Sequence, residues 1–140
     1  MRVEPFKPEH LLTMNVQEAQ RGALPSLTPE YAQRLQNAGP AFTGFVDGRV
    51  IGCAGVGYLS SSNAILWSVL AEGAGRHMVG IHRCALRLLS TLTIRRIEAD
   101  VLKGFEPGCR WLEKLGFEYE GPLRAYGEDG SDYMRYARIR

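Results

Sequence analysis

The stretch Glu113-Lys114-Leu115-Gly116-Phe117-Glu118-Tyr119-Glu120-Gly121 decides how this chain folds. Residues 106–115 read as a short helix, and Gly116 stands where a helix closes on a left-handed residue. Residues 117–123 follow at once as a strand. Leu-Gly-Phe alone is a weak signal, because glycine is the commonest residue after a helix. The longer run, with its flanking helix and strand, is far more specific.

The neighbouring elements follow outward from that run. Residues 133–139 form a last strand, and residues 96–102 form the strand before the helix. Residues 76–92 carry the helical stripe Met78, Ile81, Ala85, Leu88 and Leu92, behind a glycine-containing loop over residues 72–75. Residues 63–71 form a strand reached through a serine-rich turn, and residues 41–46 and 49–59 pair across the hairpin signal Asp47-Gly48. Thr28-Pro29-Glu30 opens a helix that ends near Asn37, before Gly39-Pro40. Residues 21–27 contain Gly22 and Pro25 and read as a loop. Residues 9–20 read as one helix with Leu12, Val16 and Ala19 on a face, and residues 1–6 as a first strand closed by Pro8. The order is β-α-α-β-β-β-α-β-α-β-β. It predicts an α/β (α+β) fold in a single domain over residues 1–140, a mixed sheet of about seven strands with four helices.

Composition narrows the function classes. A length of 140 residues suits one domain with its own core. A net charge of +2 gives no electrostatic case for nucleic acid. Cys53, Cys84 and Cys109 are odd in number and lack CxxC spacing, which argues against a disulfide framework and a zinc site and for reduced thiols in a cytoplasm. His10, His77 and His82 are too scattered for a metal site. The N-terminus carries no apolar signal core, and no run is long enough to span a membrane.

The run at 113–121 resembles the "EKLGF-x-x-EG" segment common among GCN5-related N-acetyltransferases, the GNAT superfamily, whose element order is the one above. Leu123-Arg124, Tyr126-Gly127, Gly130, Asp132 and Tyr136-Ala137 resemble the end of the subgroup that modifies protein N-termini, and Val101 falls at the family's fifth-strand valine. A narrower resemblance is to small acetyltransferase-like proteins of tailed bacteriophages, some enzymes and some particle-assembly proteins. It rests on Trp67, Arg110-Trp111-Leu112 and residues 126–130. It implies a host cytoplasm, and a host protein as target.

The superfamily resemblance implies acetyl-CoA as cosubstrate, a primary amine or protein as acceptor, and no metal. It implies that the fourth and fifth strands splay and that pantetheine pairs with the backbone near Val69, Leu70 and Ala71. A free N–H there would polarise the thioester carbonyl. Pyrophosphate would sit on Gly73, Ala74 and Gly75 at a helix start flanked by Arg76 and His77. Arg76, Gly80, Arg83 and Arg87 share a helical face, either a phosphate-facing stripe or a solvated one. The family's Gln/Arg-x-x-Gly-x-Gly/Ala signature is absent. Its frequent helix asparagine is replaced by Phe105, and its general-acid tyrosine by Leu112, which cannot donate a proton.

Three carboxylates are candidates for the base: Glu72 beyond the fourth strand, and Glu98 and Asp100 on one face of the fifth. For the strand pair, exposed polarity is the competing assignment. Trp67, Tyr126 and Glu128 are candidates for the acceptor side, or else rim and turn residues, in a pocket bounded by residues 21–27 and 125–132. Tyr133, Met134 and Tyr136 allow a homodimer through the last strands. Two functions follow: an N-acetyltransferase, or a catalytically degenerate relative that binds a partner or serves in virion assembly.

Overall fold

A computed structural model describes residues 1–22 and 27–140. Seven strands make one sheet in the order β1-β2-β3-β4-β5-β7-β6. They are β1 (Arg2–Pro5), β2 (Ala41–Val46), β3 (Arg49–Tyr58), β4 (Asn63–Leu70), β5 (Arg96–Leu102), β6 (Glu118–Leu123) and β7 (Tyr133–Ile139). Every neighbouring pair is antiparallel except β4 and β5, which run parallel. The helices are α1 (Pro8–Leu12), α2 (Glu18–Arg21), α3 (Pro29–Ala38), α4 (Met78–Thr91) and α5 (Glu106–Lys114), five against the expected four.

The turn chemistry acts as its residues dictate. Asp47 and Gly48 both have positive φ, 50° and 76°, as a two-residue hairpin turn requires. The Thr28 hydroxyl accepts from the Tyr31 N–H and caps α3, with Pro29 in its first turn. Gly116 ends α5 at φ 92°, a conformation a side chain resists.

The two sheet faces are covered separately. Beneath α4 and α5 lie Val56, Ala64, Ile97, Ala99, Leu112, Phe117 and Tyr136, joined by the helical stripe Ala85, Leu88 and Leu92. Phe6, Leu11, Met14, Val16, Ala32, Cys53 and Val69 form a second cluster with α1 and α3 on the opposite face. Cys109 is buried. It faces Tyr136 on β7, an inner strand between β5 and β6.

The single helix expected over residues 9–20 is corrected to two. Leu11, Met14 and Val16 are all buried, so the inward spacing shortens from three residues to two within one turn. Residues 15–17 leave the helix and lie antiparallel to the end of β4. Gln17 N–H donates to Leu70 O at 2.9 Å, and Glu72 N–H donates to Asn15 O at 2.8 Å. The expected α-helical start at Arg76 is a 3-10 turn, Ala74–His77, and α4 begins at Met78. Residues 23–26 of the expected loop lie outside the described residues.

Candidate active site

β4 and β5 pair over only three positions, Asn63 with Arg96, Ala64 with Ile97 and Ile65 with Glu98. Beyond them β4 stays with β3 as far as Leu70, and β5 stays with β7 as far as Leu102. The gap is a channel of about 450 Å3 reaching both faces of the sheet. On the α4/α5 face it is apolar, lined by Phe105, Trp111, Leu112 and Leu115. On the α1/α3 face Trp67, Asp100, Tyr31, Tyr126, Tyr133 and Glu128 line it. A channel of this size, apolar with a few convergent polar groups, has the physical character of a small-molecule pocket.

The walls explain two of the sequence's departures. Phe105 and Leu112 both face the channel. The Phe105 ring packs against Gly108, where an added Cβ would stand 2.9 Å from a ring carbon and 2.6 Å from Val101 Cγ2. Leu112 is buried, so the wall where the resemblance implied a proton donor is hydrocarbon. Above them Trp111 Nε1–H donates to His82 Nδ1 at 3.1 Å and ties α5 to α4 across the gap.

The exposed edge of β4 is already bonded. Gln20 Nε2–H donates to Ser68 O and Leu70 N–H donates to Gln20 Oε1, both at 2.9 Å. Gln17 Nε2–H donates to the same Oε1 at 2.9 Å and steadies it. The carboxamide of Gln20 thus pairs with β4 as a passing peptide would. Of the three positions expected to face pantetheine, only Leu70 turns its peptide toward the gap. Ala71 N–H donates to Ile51 O on the β3 side, and strand alternation turns Val69 the same way. Neither Gln17 nor Gln20 was legible as a site residue, since nothing in the sequence pattern separates them from other polar helix residues.

Glu98 and Asp100 do share a face, and both are nearly buried, their side chains 12% and 8% exposed. Exposed strand polarity is therefore not their role. Arg135 on β7 donates from Nε to Asp100 Oδ1 at 3.0 Å and from Nη2 to Oδ2 at 3.1 Å, with Nη1 3.2 Å from Glu98 Oε2. Arg96 bonds Glu98 at 3.2 Å and Glu120 on β6 at 3.0 Å. The result is an alternating ladder of charges, and only Asp100 of its carboxylates reaches the channel. Both Asp100 oxygens are held by one guanidinium, a geometry for positioning rather than for taking protons.

Tyr126 lies beside that pair. Its ring is 6.0 Å from the Arg135 guanidinium and edge-on to Tyr133 at 5.6 Å. Burial first, and the Asp100 carboxylate second, push its hydroxyl up from the ordinary value, so it remains a donor. Its loop is pinned because Asp132 Oδ1 accepts from the Ala125 N–H at 2.7 Å and Asp132 O from the Lys103 N–H at 3.0 Å. Trp67 packs edge-on to Phe6, and its buried Nε1 has no partner among the described residues.

The other candidates lie apart from the channel lining. Glu72 is exposed and paired with Arg21 at 3.0 Å. Gly73 has φ 80° and precedes the 3-10 turn that carries Ala74, Gly75, Arg76 and His77, of which only Ala74 is buried. Arg76, Gly80, Arg83 and Arg87 do not line the channel. Gly80 faces Met1, and Arg87 borders a different cavity. Among the described residues no cluster of three or more His, Cys, Asp or Glu could hold a metal, and no helix is long and apolar enough to cross a membrane.

No protein-family model matches the chain, and no curated protein matches it. Solved structures do. Ard1 from Thermoplasma volcanium aligns over 99% of this chain and 96% of its own with a TM-score of 0.76 and 19% identity. An N-acetyltransferase from Staphylococcus aureus Mu50 aligns over 99% and 97% with a TM-score of 0.72 and 18% identity. A ribosomal-protein-alanine N-acetyltransferase from Brucella melitensis aligns over 100% of both chains with a TM-score of 0.68 and 17% identity. At these identities the likeness is one of fold: the mixed seven-stranded sheet with its helices is the fold these structures share.

Proposed function

We propose that the chain is an acyl-CoA-dependent N-acyltransferase, with acetyl-CoA as donor and a primary amine as acceptor. The splay of β4 from β5 carries the reading, because it opens a channel between an apolar face and a polar, aromatic one. The β4 edge suits the donor: Ser68 O and Leu70 N–H already hold a carboxamide, the group pantetheine also bears. Arg76 and His77, on the turn after β4, would meet the phosphates.

The amine nitrogen attacks the thioester carbonyl carbon, an amide bond forms, the C–S bond breaks, and the thiolate leaves. A thiol of pKa about 8.5 departs without an acid, which accommodates Leu112. The ammonium must first lose a proton. Glu128, which lines the channel together with Tyr126 and Trp67, is assigned as base, and those two aromatics bound the acceptor, while Asp100, held at both oxygens by Arg135, is assigned to positioning. Glu98 supports Asp100 through Arg135, and Glu72 lies outside the step.

Calorimetry with acetyl-CoA tests this directly: binding at micromolar to low millimolar concentration is expected, and silence at millimolar ligand overturns it. Charge reversal Arg76→Glu should weaken binding more than reversal of Arg49, at the start of β3. Glu128→Gln should lower kcat by roughly 10²-fold near neutral pH with KM little changed, the scale of a lost general base.

A second reading is favoured by the bonded β4 edge and the hydrocarbon at Leu112: a protein that kept the fold as a binding or assembly scaffold. Acetyl-CoA binding without transfer to any amine of a broad panel, protein N-termini included, would establish it. A phage-encoded protein aimed at a host target rests on the sequence resemblance alone.

A further inference from the structure

A second cavity, about 290 Å3, lies between the β1–β3 part of the sheet and α4. It exists because side chains are missing where a sheet and a helix meet. Gly44 on β2 and Gly52 and Ala54 on β3 line it. A Cβ added at Gly44 would meet the Met1 Sδ at 3.0 Å, and one at Gly80 on α4 would meet the Met1 Cε at 3.3 Å. The flexible Met1 side chain therefore lies across the space between strand and helix, held by glycines on both sides. Interiors are normally packed without voids of this size, and the mouth is rimmed by exposed Met1, Val3 and Phe42.

Among the described residues that line it, Arg87 bears the one charged side chain, and it appears in no ion pair among them. Arg83, on the same helical face, is exposed beside it. We propose that this cavity binds a single aliphatic chain with a carboxylate head, the chain lying over Gly44 and Gly52 under the Met1 side chain and the carboxylate on Arg87. At roughly 30 Å3 for each water-sized group, the volume takes about ten carbons. The cavity adjoins the channel, sharing Ala54, Leu70, Ala85, Leu88 and Trp111 with its lining, and the proposal stands or falls without the acyl-transfer reading.

Calorimetry with decanoate tests it, with decylamine and decanol as head-group controls and hexanoate and tetradecanoate as length controls. Decanoate should bind best of the five. Gly44→Leu, whose side chain enters the cavity against Met1 and Ile51, should abolish decanoate binding and leave acetyl-CoA binding unchanged. Arg87→Gln should weaken decanoate about tenfold, the loss of one charge-assisted contact. Failure of decanoate to bind at its solubility limit overturns the proposal, as does equal affinity for decylamine or an unaltered affinity in Gly44→Leu. Should Gly44→Leu fail to fold, the head-group and length series still decide. A ligand-free dimer that Gly44→Leu dissociates would assign the cavity to a second copy of the chain and also overturn it.

Discussion

At the residue scale the side chain with most consequence is Gln20. Its carboxamide satisfies two peptide groups of β4 that would otherwise face an open channel. Under the proposed function a pantetheine amide competes for the same two groups. Gln20→Ala is expected to tighten acetyl-CoA binding several-fold and to cost about 1 kcal/mol of stability, the net worth of such bonds. Titration calorimetry and a urea melt of the same variant check both, and weaker binding would show that Gln20 helps hold the donor. Cys53 offers a second test. Burial pushes its thiol up to about 11, with Thr43 opposing weakly, from an ordinary 9.0. The folded state holds that proton more tightly, so the contribution is complete below pH 9 and is lost as pH rises toward 11. Cys53→Ala should unfold less steeply than wild type across that window, by on the order of 2–3 kcal/mol, in denaturant melts at stepped pH. Nothing local marked Gln20, because its role depends on a strand about fifty residues away.

At the element scale the β5–β7 pair is held by more than its backbone ladder. Arg135 spans Glu98 and Asp100, and Arg96 ties Glu98 to Glu120 on β6. Arg135→Met leaves two nearly buried carboxylates without their shared cation and should cost about 3–5 kcal/mol. Combining it with Glu98→Gln and Asp100→Asn should recover most of that in thermal melts, which would show that the loss is electrostatic rather than steric. Alternation along β5 put both acids on one face in the sequence. Their burial and their arginine come from β7, and no local pattern encodes that partner. The same reasoning covers residues 9–20. Their apolar spacing reads as helix, yet Asn15 and Gln17 find hydrogen bonds on β4 that a helix would forgo. At α5, Gly116 was legible as a stop because φ 92° is a local demand. Gly116→Ala should cost about 1–2 kcal/mol.

At the scale of the whole molecule, a sheet that parts in its middle has traded backbone pairing for a channel. Under the proposed function, a donor filling that channel binds the folded state alone. At a hundredfold excess over its Kd it should add about 2.7 kcal/mol and raise Tm by several degrees, measurable by differential scanning fluorimetry. The run from Glu113 to Gly121, the hairpin turn, the helix cap at Thr28 and the stripe on α4 were determined by the sequence itself. Each depends on contacts within a few residues, where dihedral preference and periodicity act. Tertiary structure alone decided that Gln20 covers β4, that Arg135 occupies Asp100, and that Arg87 borders a second cavity instead of the channel. Those outcomes depend on which distant strands become neighbours, and hydrogen bonds and charges are assigned only after the chain has closed.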